Sequence, residues 1–524
     1  MKAVPDHVYN KSDLIRLFEA SRGKTFEMID DKGMFDHVRD FPLQKGIAGA
    51  VVEQCILGYA PDSKQEADLI VVDGKEETKT ELKTTGMLIE LKPERHYVAK
   101  EPMSITAVGV YDIAEQEFLT SHFWDKLEHM LIVYYHYAAN HAVTAYEYKD
   151  FPLVGYEFHE FSEDDVEILK NDWEHVRKLC EDVINRFPGP RDAKWKADVK
   201  QEYIDVHGQL RRVLSYIDLA PKFPPRFRLK KPTVSAIIAN HFGYNLEQLP
   251  GRYTAISDID RKCKELTQKY RGRTIASLAR EFNIPYSRST ENKAITERIA
   301  VAMFGGTASK LNQIELFEKF GLIAKSVVVT STGGRTEDMK LFRVDFNEIT
   351  REVVAEDDGT IRPYVFEDSD LYTYFADHEF LCIVFEEAKS RVEERAPGMF
   401  VEIPHKLGDN KFLGFQRLVF SDVFIDQTVR PVWDDTRSKV LNKTLEDVVQ
   451  RKQDGTPVIN RTGEISSAPN FIKSRDNAVF LRGSGIDSSS RHKTECVNGI
   501  KMLPQYVWIK GTSIVGQIDI TANI

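Results

Sequence analysis

The sequence predicts an α/β protein made of two tandem copies of one architecture, a mixed central sheet with helices on its faces, the second copy degenerate. Three observations predict it. From Lys45 to Thr85 a helix-spaced apolar run is followed by two strand-like segments joined at Asp73-Gly74. β-branched and aromatic stretches return at 103–110 and 130–148, with a helical segment between them and a long one after. Short motifs of the first half then recur, in order, in the second. A chain of 524 residues is also too long for one compact core. The expected domains are residues 1–245 and 246–524.

The first helical region spans residues 10–30, with Ser12-Asp13 as its cap and Leu14, Leu17 and Phe18 as its apolar stripe. Gly23-Lys24-Thr25 is not a phosphate-binding loop, because the glycine required five positions before Gly23 is Phe18. Between Lys45 and Tyr59, Ile47, Val51, Val52, Ile56 and Leu57 recur at helical spacing, with Glu53 between core positions. Leu69–Val72 reads as a short buried strand, Asp73-Gly74 as a hairpin turn, and Thr78–Thr85 as the returning strand.

Alternate side chains of a strand share a face, so Glu81 and Lys83 point one way and Leu82 the other. Paired strands lie about 4.8 Å apart, which brings Asp68 alongside Glu81. Two carboxylates that close repel unless a cation separates them, and Mg²⁺ takes one or two carboxylates plus waters. An Asp followed by Glu-x-Lys is therefore a candidate phosphodiester-cleaving site, with Lys83 lowering the pKa of an attacking water or neutralising the transition state. On its own this spacing is common on solvated strand faces. Farther on, a helix lies between the strand-like stretches, and Phe161–Arg186 reads as a long polar helix.

The composition excludes several classes. No apolar run is long enough to span a bilayer, and the start, MKAVPDHVYNKSD, lacks the apolar centre of a signal peptide. Cys55, Cys180, Cys263, Cys382 and Cys496 are scattered without a C-x-x-C pair, which predicts a reducing, cytoplasmic setting and no structural zinc. The net charge of −10 does not advertise a nucleic-acid partner, but phosphate contacts are made by local patches. Residues 186–231 carry twelve Lys and Arg against five Asp and Glu, a strip suited to a DNA backbone as well as to plain solvation.

Set in order along the chain, these residues resemble the MutH-type endonucleases, a family that includes the mismatch-repair nicking enzyme and larger two-copy restriction endonucleases that cut GATC. The resemblance is carried by Lys45-Gly46, Gly49 and Glu53, then Ser63-Lys64, Asp68 and Glu81-Leu82-Lys83-Thr84. Thr120-Ser121-His122 with Lys126-Leu127, Asp172-Trp173, Phe227–Lys231, Ser235-Ala236 and His241-Phe242 continue it. It covers about residues 10–244 and implies a restriction-endonuclease-like, PD-(D/E)xK fold. It also implies Mg²⁺ held by Asp68, Glu81 and the Leu82 carbonyl, a further catalytic lysine at Lys126, and Glu53 orienting Lys83 or a water. DNA contacts are expected from Lys45, Arg211, Arg212, Arg228, Lys230 and Lys231. Arg228 stands where the family has a base-reading tyrosine, a departure that bears on the recognition sequence.

The second half repeats the first imperfectly. Ser12-Asp13-Leu14 recurs as Ser257-Asp258-Ile259, Gly23-Lys24-Thr25 as Gly272-Arg273-Thr274, Lys45 as Lys293 and Leu57-Gly58 as Phe304-Gly305. Glu53 falls opposite Val301, Glu81-Leu82-Lys83-Thr84 opposite Ile323-Ala324-Lys325-Ser326, and Asp68 opposite Ile314 or Glu315. Without the glutamates a hard cation has too few oxygens, so this copy is expected to be catalytically silent. It keeps Phe480-Leu481-Arg482 before a Gly/Ser-rich loop, and Tyr506–Lys510 where the first copy has Phe227–Lys231. The resemblance assigns Arg482 and Lys510 to DNA binding, Arg482 suiting a guanine edge. Two stretches receive no role: the acid-rich one at 353–394, with an exposed turn at Glu356–Gly359, and the polar loop at 451–467.

Together these readings predict a Mg²⁺-dependent type II restriction endonuclease cutting double-stranded DNA at a short palindrome such as GATC and leaving 5′-phosphate ends. A monomer that dimerises on DNA or binds two DNA sites is expected, with a cognate DNA methyltransferase as functional partner. The alternatives are a MutH-type strand-nicking repair enzyme and an inactive DNA-binding protein.

Overall fold

A computed structural model describes residues 7–38, 46–59, 67–91, 95–139, 143–220, 223–287, 293–330, 337–355, 361–396 and 399–518. Lys45, Ser63-Lys64 and the turn at Glu356–Gly359 lie outside them.

The chain divides into two compact units. The first comprises Met1–Ile259 together with Asn312–Leu322 and Val353–Pro363, and the second holds the remainder. The break thus falls at 259/260, where the sequence suggested 245/246. Residues 312–322 are counted with the first unit for visible reasons. Glu247 bridges Ile314 in parallel, Lys319 Nζ pairs with Asp165 at 2.7 Å, and Thr233 Oγ1 donates to the Lys319 carbonyl at 2.8 Å.

The first unit is built on a six-stranded mixed sheet. Its strands are β1 (Val8–Asn10), β2 (Leu69–Asp73), β3 (Glu76–Glu90), β4 (His96–Ala99), then β6 (Met130–His136) and β7 (Leu153–His159) after a separate β5 (Met103–Ala107). The order is β1-β2-β3-β6-β7, with β4 also paired to β3. The β1–β2 and β3–β6 pairs are parallel, while β2–β3 and β6–β7 are antiparallel. The turn between β2 and β3 needs a left-handed residue, supplied by Gly74 at φ +69°. β3 runs well past the expected end at Thr85, because apolar Met87 and Leu88 continue its pairing with β4 and β6.

The helix Lys11–Ser21 contributes Leu14 and Phe18, and the helix at 47–57 contributes Val51, Val52 and Ile56, to one core with Leu69, Val71, Leu82, Leu131 and Val133. Behind the sheet, the helix Glu163–Asn185 buries Leu169, Trp173, Val176 and Cys180, so the segment read as polar is amphipathic. A second small sheet joins β5, β9 (Arg226–Leu229) and β8 (Ile217–Leu219) in that order. One helix departs from expectation. The run after Lys45 is α-helical only over Ile47–Val51 and then widens into a π-helix over Val52–Leu57. Apolar spacing of three and four fits either winding, so the pattern could not separate them.

The second unit repeats this plan. Leu322–Val329, Glu379–Glu386 and Lys411–Leu418 form a three-stranded sheet in that order, matching β3-β6-β7. Met339–Arg343, Gln505–Ile509 and Val479–Gly483 form another, matching β5-β9-β8. The recurring motifs also make the same contacts. Gly23 (φ +81°) donates to the Leu153 carbonyl and Thr25 caps the next helix; Gly272 (φ +82°) donates to the Phe412 carbonyl and Thr274 caps its helix. The fold is therefore a duplicated mixed α/β sheet, as expected.

Candidate active site

The site lies where β2 and β3 begin to pair. Leu69 is opposite Thr80, so Asp68, one residue earlier, comes beside Glu81 and Leu82. The Leu82 amide donates to Asp68 Oδ2 at 2.9 Å, and this bond fixes the carboxylate against β3. The Leu82 side chain turns into the core. Glu81 is 4% exposed, and both its oxygens are engaged: Lys83 Nζ donates to Oε1 at 2.8 Å and Lys126 Nζ to Oε2 at 2.6 Å.

Lys126 reaches the site from a short helix, His122–Asp125, of which it is the C-cap. Ser121 starts that helix, its hydroxyl accepting from the Trp124 amide and donating to the Phe118 carbonyl. The parallel β3–β6 pairing carries the helix to Glu81, since Glu81 aligns with Met130 just beyond it. Glu53 lies on the π-helix, half-buried, with its carbonyl accepting from the Gly58 and Tyr59 amides. One turn earlier, a methyl group on Gly49 would stand 4.0 Å from Thr84 Oγ1, so this helix approaches β3 beside the site.

The electrostatics of the two carboxylates differ. Burial, and then the charge of Glu81, push the Asp68 carboxyl up to about 6, against opposing pulls from the Leu82 amide, Lys126 and Lys83. Glu81 is matched by two ammonium groups, whereas the Asp68 charge is undercompensated. Among the described residues no cage of three His, Cys, Asp or Glu side chains is present. Two carboxylates side by side form a hard oxygen donor set, which fits a hard divalent cation that keeps most of its waters. A divalent cation also supplies the charge that Asp68 lacks.

One supporting residue was not legible in sequence. His7 Nδ1 lies 2.9 Å from the Asp68 carbonyl oxygen, with its ring stacked on Tyr59 at 4.2 Å and its backbone at φ +53°. Only the parallel β1–β2 pairing brings it there.

The expected DNA contacts have mixed fates. Arg211 and Arg212 lie on a 3₁₀ turn, His207–Arg212, the first half-buried and the second exposed. Lys231 opens the helix Lys231–His241. Lys230, expected on the surface, is a core residue: it is 4% exposed and its ammonium donates to the Leu214 carbonyl at 2.7 Å. It cannot reach a phosphate from there, and the expectation is corrected. Arg228 is held by Asp218, Nε to Oδ1 at 3.0 Å, with a second bond closing the fork. Asp172 anchors the same region, its buried carboxylate accepting from the amides of Ser215, Tyr216 and Ile217 at 2.8, 2.7 and 3.1 Å.

In the second unit, Arg482 is part-exposed on its strand, paired with Asp338 at 2.8 Å and lying over Trp508. Lys510 is half-buried before the last helix. Lys325 keeps its place on the strand after Ile323, but its ammonium lies 5.1 Å over the Phe380 ring and burial pushes its pKa down to about 8. Neither proposed counterpart of Asp68 sits in this unit. Ile314 is fully buried, and Glu315 pairs with Lys319 and Asn240, all within the first unit.

Residues 57–172 match the family model described as DNA mismatch repair enzyme MutH. The chain is also similar to the type II restriction enzyme Sau3AI of Staphylococcus aureus, 22% identical over 435 residues, which cover 80% of this chain and 78% of that protein. The MutH-type resemblance read from the sequence holds, and it extends across both units to a restriction enzyme. No described helix is long and apolar enough to cross a membrane.

Proposed function

With a MutH-type domain at residues 57–172 as the premise, we propose that the chain is a Mg²⁺-dependent type II restriction endonuclease. Its substrate is double-stranded DNA, cut in the cytoplasm at a short palindrome of the GATC kind to give 5′-phosphate ends. The observation that carries the reading is the arrangement around Glu81, with an ammonium on each oxygen and Asp68 bonded to the next residue of the strand.

Asp68, Glu81 and the Leu82 carbonyl hold the metal. Bound there, magnesium supplies Lewis-acid charge for phosphodiester hydrolysis. Each lysine ammonium has three N–H donors, so Lys83 and Lys126 bind phosphate oxygens while keeping Glu81, and they offset the negative charge that builds on phosphorus. Glu53 orients Lys83 or a water. Arg211, Arg212, Arg228, Lys231, Arg482, Lys510 and Lys45 contact DNA, Arg228 once Asp218 shares or releases it. One active site cuts one strand, so cleavage of both strands of a palindrome requires a dimer on DNA, two bound sites or sequential nicking. A cognate DNA methyltransferase protects the host sequence.

Digestion of methylated and unmethylated plasmid with Mg²⁺, followed by mapping of the ends, tests this reading. Linear product with 5′-phosphates, lost in Glu81→Ala while DNA binding stays, supports it. The family model's description as a DNA mismatch repair enzyme favours a second reading, a strand-nicking repair endonuclease; accumulation of nicked circles without linear DNA selects it. DNA binding with no metal-dependent cleavage selects the third reading, an inactive DNA-binding protein.

A further inference from the structure

His122 stands one helical turn before Lys126. The backbone from His122 to Lys126 is helical, capped by an extended Ser121, with the Asp125 amide on the Ser121 carbonyl and the Leu127 amide on the Trp124 carbonyl. Residues four apart on such a turn share a face. Phe123, Trp124 and Leu127 fill the core side, which leaves His122 and Lys126 together on the side of Glu81. Lys126 is spent on Glu81. The His122 ring, by contrast, is half-buried and makes no hydrogen bond or ion pair to a described residue. Its charged neighbours are Lys126, Asp125 and Glu81; burial, and then Lys126, push its pKa below the usual histidine value. A neutral imidazole carries one N–H donor and one acceptor.

The second unit separates what this segment needs for folding from what it needs for chemistry. Phe118 and Ser121 recur there as Phe366 and Ser369. Ser369 caps its helix through the Tyr372 amide and donates to the Phe366 carbonyl, as Ser121 does with Trp124 and Phe118. The scaffold is intact, yet the positions of His122 and Lys126 hold Asp370 and Tyr374, in the unit where Ile323 replaces Glu81. The core-facing Phe123, Trp124 and Leu127 are exchanged only for other apolar or aromatic residues, Leu371, Tyr372 and Phe375, whereas His122, like Lys126, loses its chemical character in the copy that has lost Glu81.

From this placement we infer that His122 is a further catalytic residue, touching the phosphate that is cut and donating its imidazole N–H to one non-bridging oxygen. The inference rests on the nuclease reading above. An uncharged donor adds hydrogen bonding at the phosphate without adding another cation to the two lysines already facing Glu81.

The test uses the full chain with Mg²⁺ in single-turnover cleavage of a duplex carrying the mapped site. The wild type is compared with His122→Ala and with His122→Asn, which keeps an N–H donor. Loss of one such donor lowers rates by about 100-fold or more in comparable sites. That loss is expected for His122→Ala, with DNA affinity unchanged and partial recovery in His122→Asn. Each is then run on duplexes with the Rp or Sp phosphorothioate at the cut. On the diastereomer that places sulfur where the oxygen accepted the bond, the His122→Ala defect shrinks towards none, an outcome that a merely structural histidine does not produce. An equal defect on both diastereomers and on the unmodified duplex, or wild-type cutting by His122→Ala, overturns the inference alone. Failure of the wild type to cut any DNA overturns the nuclease reading and the inference with it.

Discussion

Two carboxylates in one site should respond to neutralisation with opposite signs, and Asp68 gives the less intuitive result. Without metal its charge is opposed by burial and by Glu81, which lift the pKa from 3.8 to about 6. At about 1.4 kcal/mol per tenfold change in proton affinity, that shift corresponds to at most roughly 3 kcal/mol of native-state destabilisation. Asp68→Asn removes the charge and keeps an oxygen for the Leu82 amide. In EDTA at pH 8 the variant should therefore be more stable than the wild type by roughly 1–3 kcal/mol.

The sign with pH follows. Above pH 6 both folded and unfolded Asp68 are charged, and the full penalty applies. As pH falls from about 6 towards 3.8, the native carboxyl takes up a proton before the unfolded one does, so the wild type gains on the variant and the gap closes. Urea titrations and thermal shifts of the metal-free proteins at pH 8, 6 and 5 measure it. Magnesium should reverse the order at pH 8, because only the wild type binds it well. A variant less stable than the wild type in EDTA at pH 8, or a gap that widens as pH falls, refutes the account of the site's charge.

Glu81→Gln should behave oppositely. It strips the counter-charge from Lys83 and from the nearly buried Lys126, lowering metal-free stability by about 3–5 kcal/mol, and adding Lys126→Met should recover part of that in the same urea assay. Asp172→Ala leaves the Ser215, Tyr216 and Ile217 amides without their acceptor, at about 1–3 kcal/mol each; a fall in the urea midpoint beyond that of Asp172→Asn checks it. Lys231→Ala and Arg212→Ala should each reduce the slope of log affinity against log salt by about one on cognate DNA. Lys230→Met, in the core, should leave that slope unchanged while lowering stability.

The heart of the site was legible because strand physics is local. A hairpin turn at Asp73-Gly74 and two-residue alternation were enough to bring Asp68, Glu81 and Lys83 together. Lys126 was beyond such reasoning: it arrives through a parallel pairing of strands some fifty residues apart, and only the family resemblance singled it out. Lys230 was misread because its neighbours in sequence are basic, while its burial is decided by Leu214 and by a helix far upstream that carries Asp172. In the second half the frame was visible in Gly272 and Thr274, which repeat a left-handed turn and a cap. The counterpart of Asp68 was not, because residues 312–322 pack with the other unit.

The wider winding at Val52–Leu57 bears on how the halves parted. Lys45 to Gly58 is one residue longer than Lys293 to Gly305, and the surplus is absorbed as a bulge, whereas Ile295–Met303 remains regular. Counted from the front, Glu53 meets Val301; counted from the back, it meets Ala300. Those two choices point about 100° apart around a helix axis. Acids grafted at Val301 and at Ala300 would therefore point in different directions, and at most one of the two can reproduce the aim of Glu53. The divergence of the later half includes an insertion or a deletion as well as exchanged side chains.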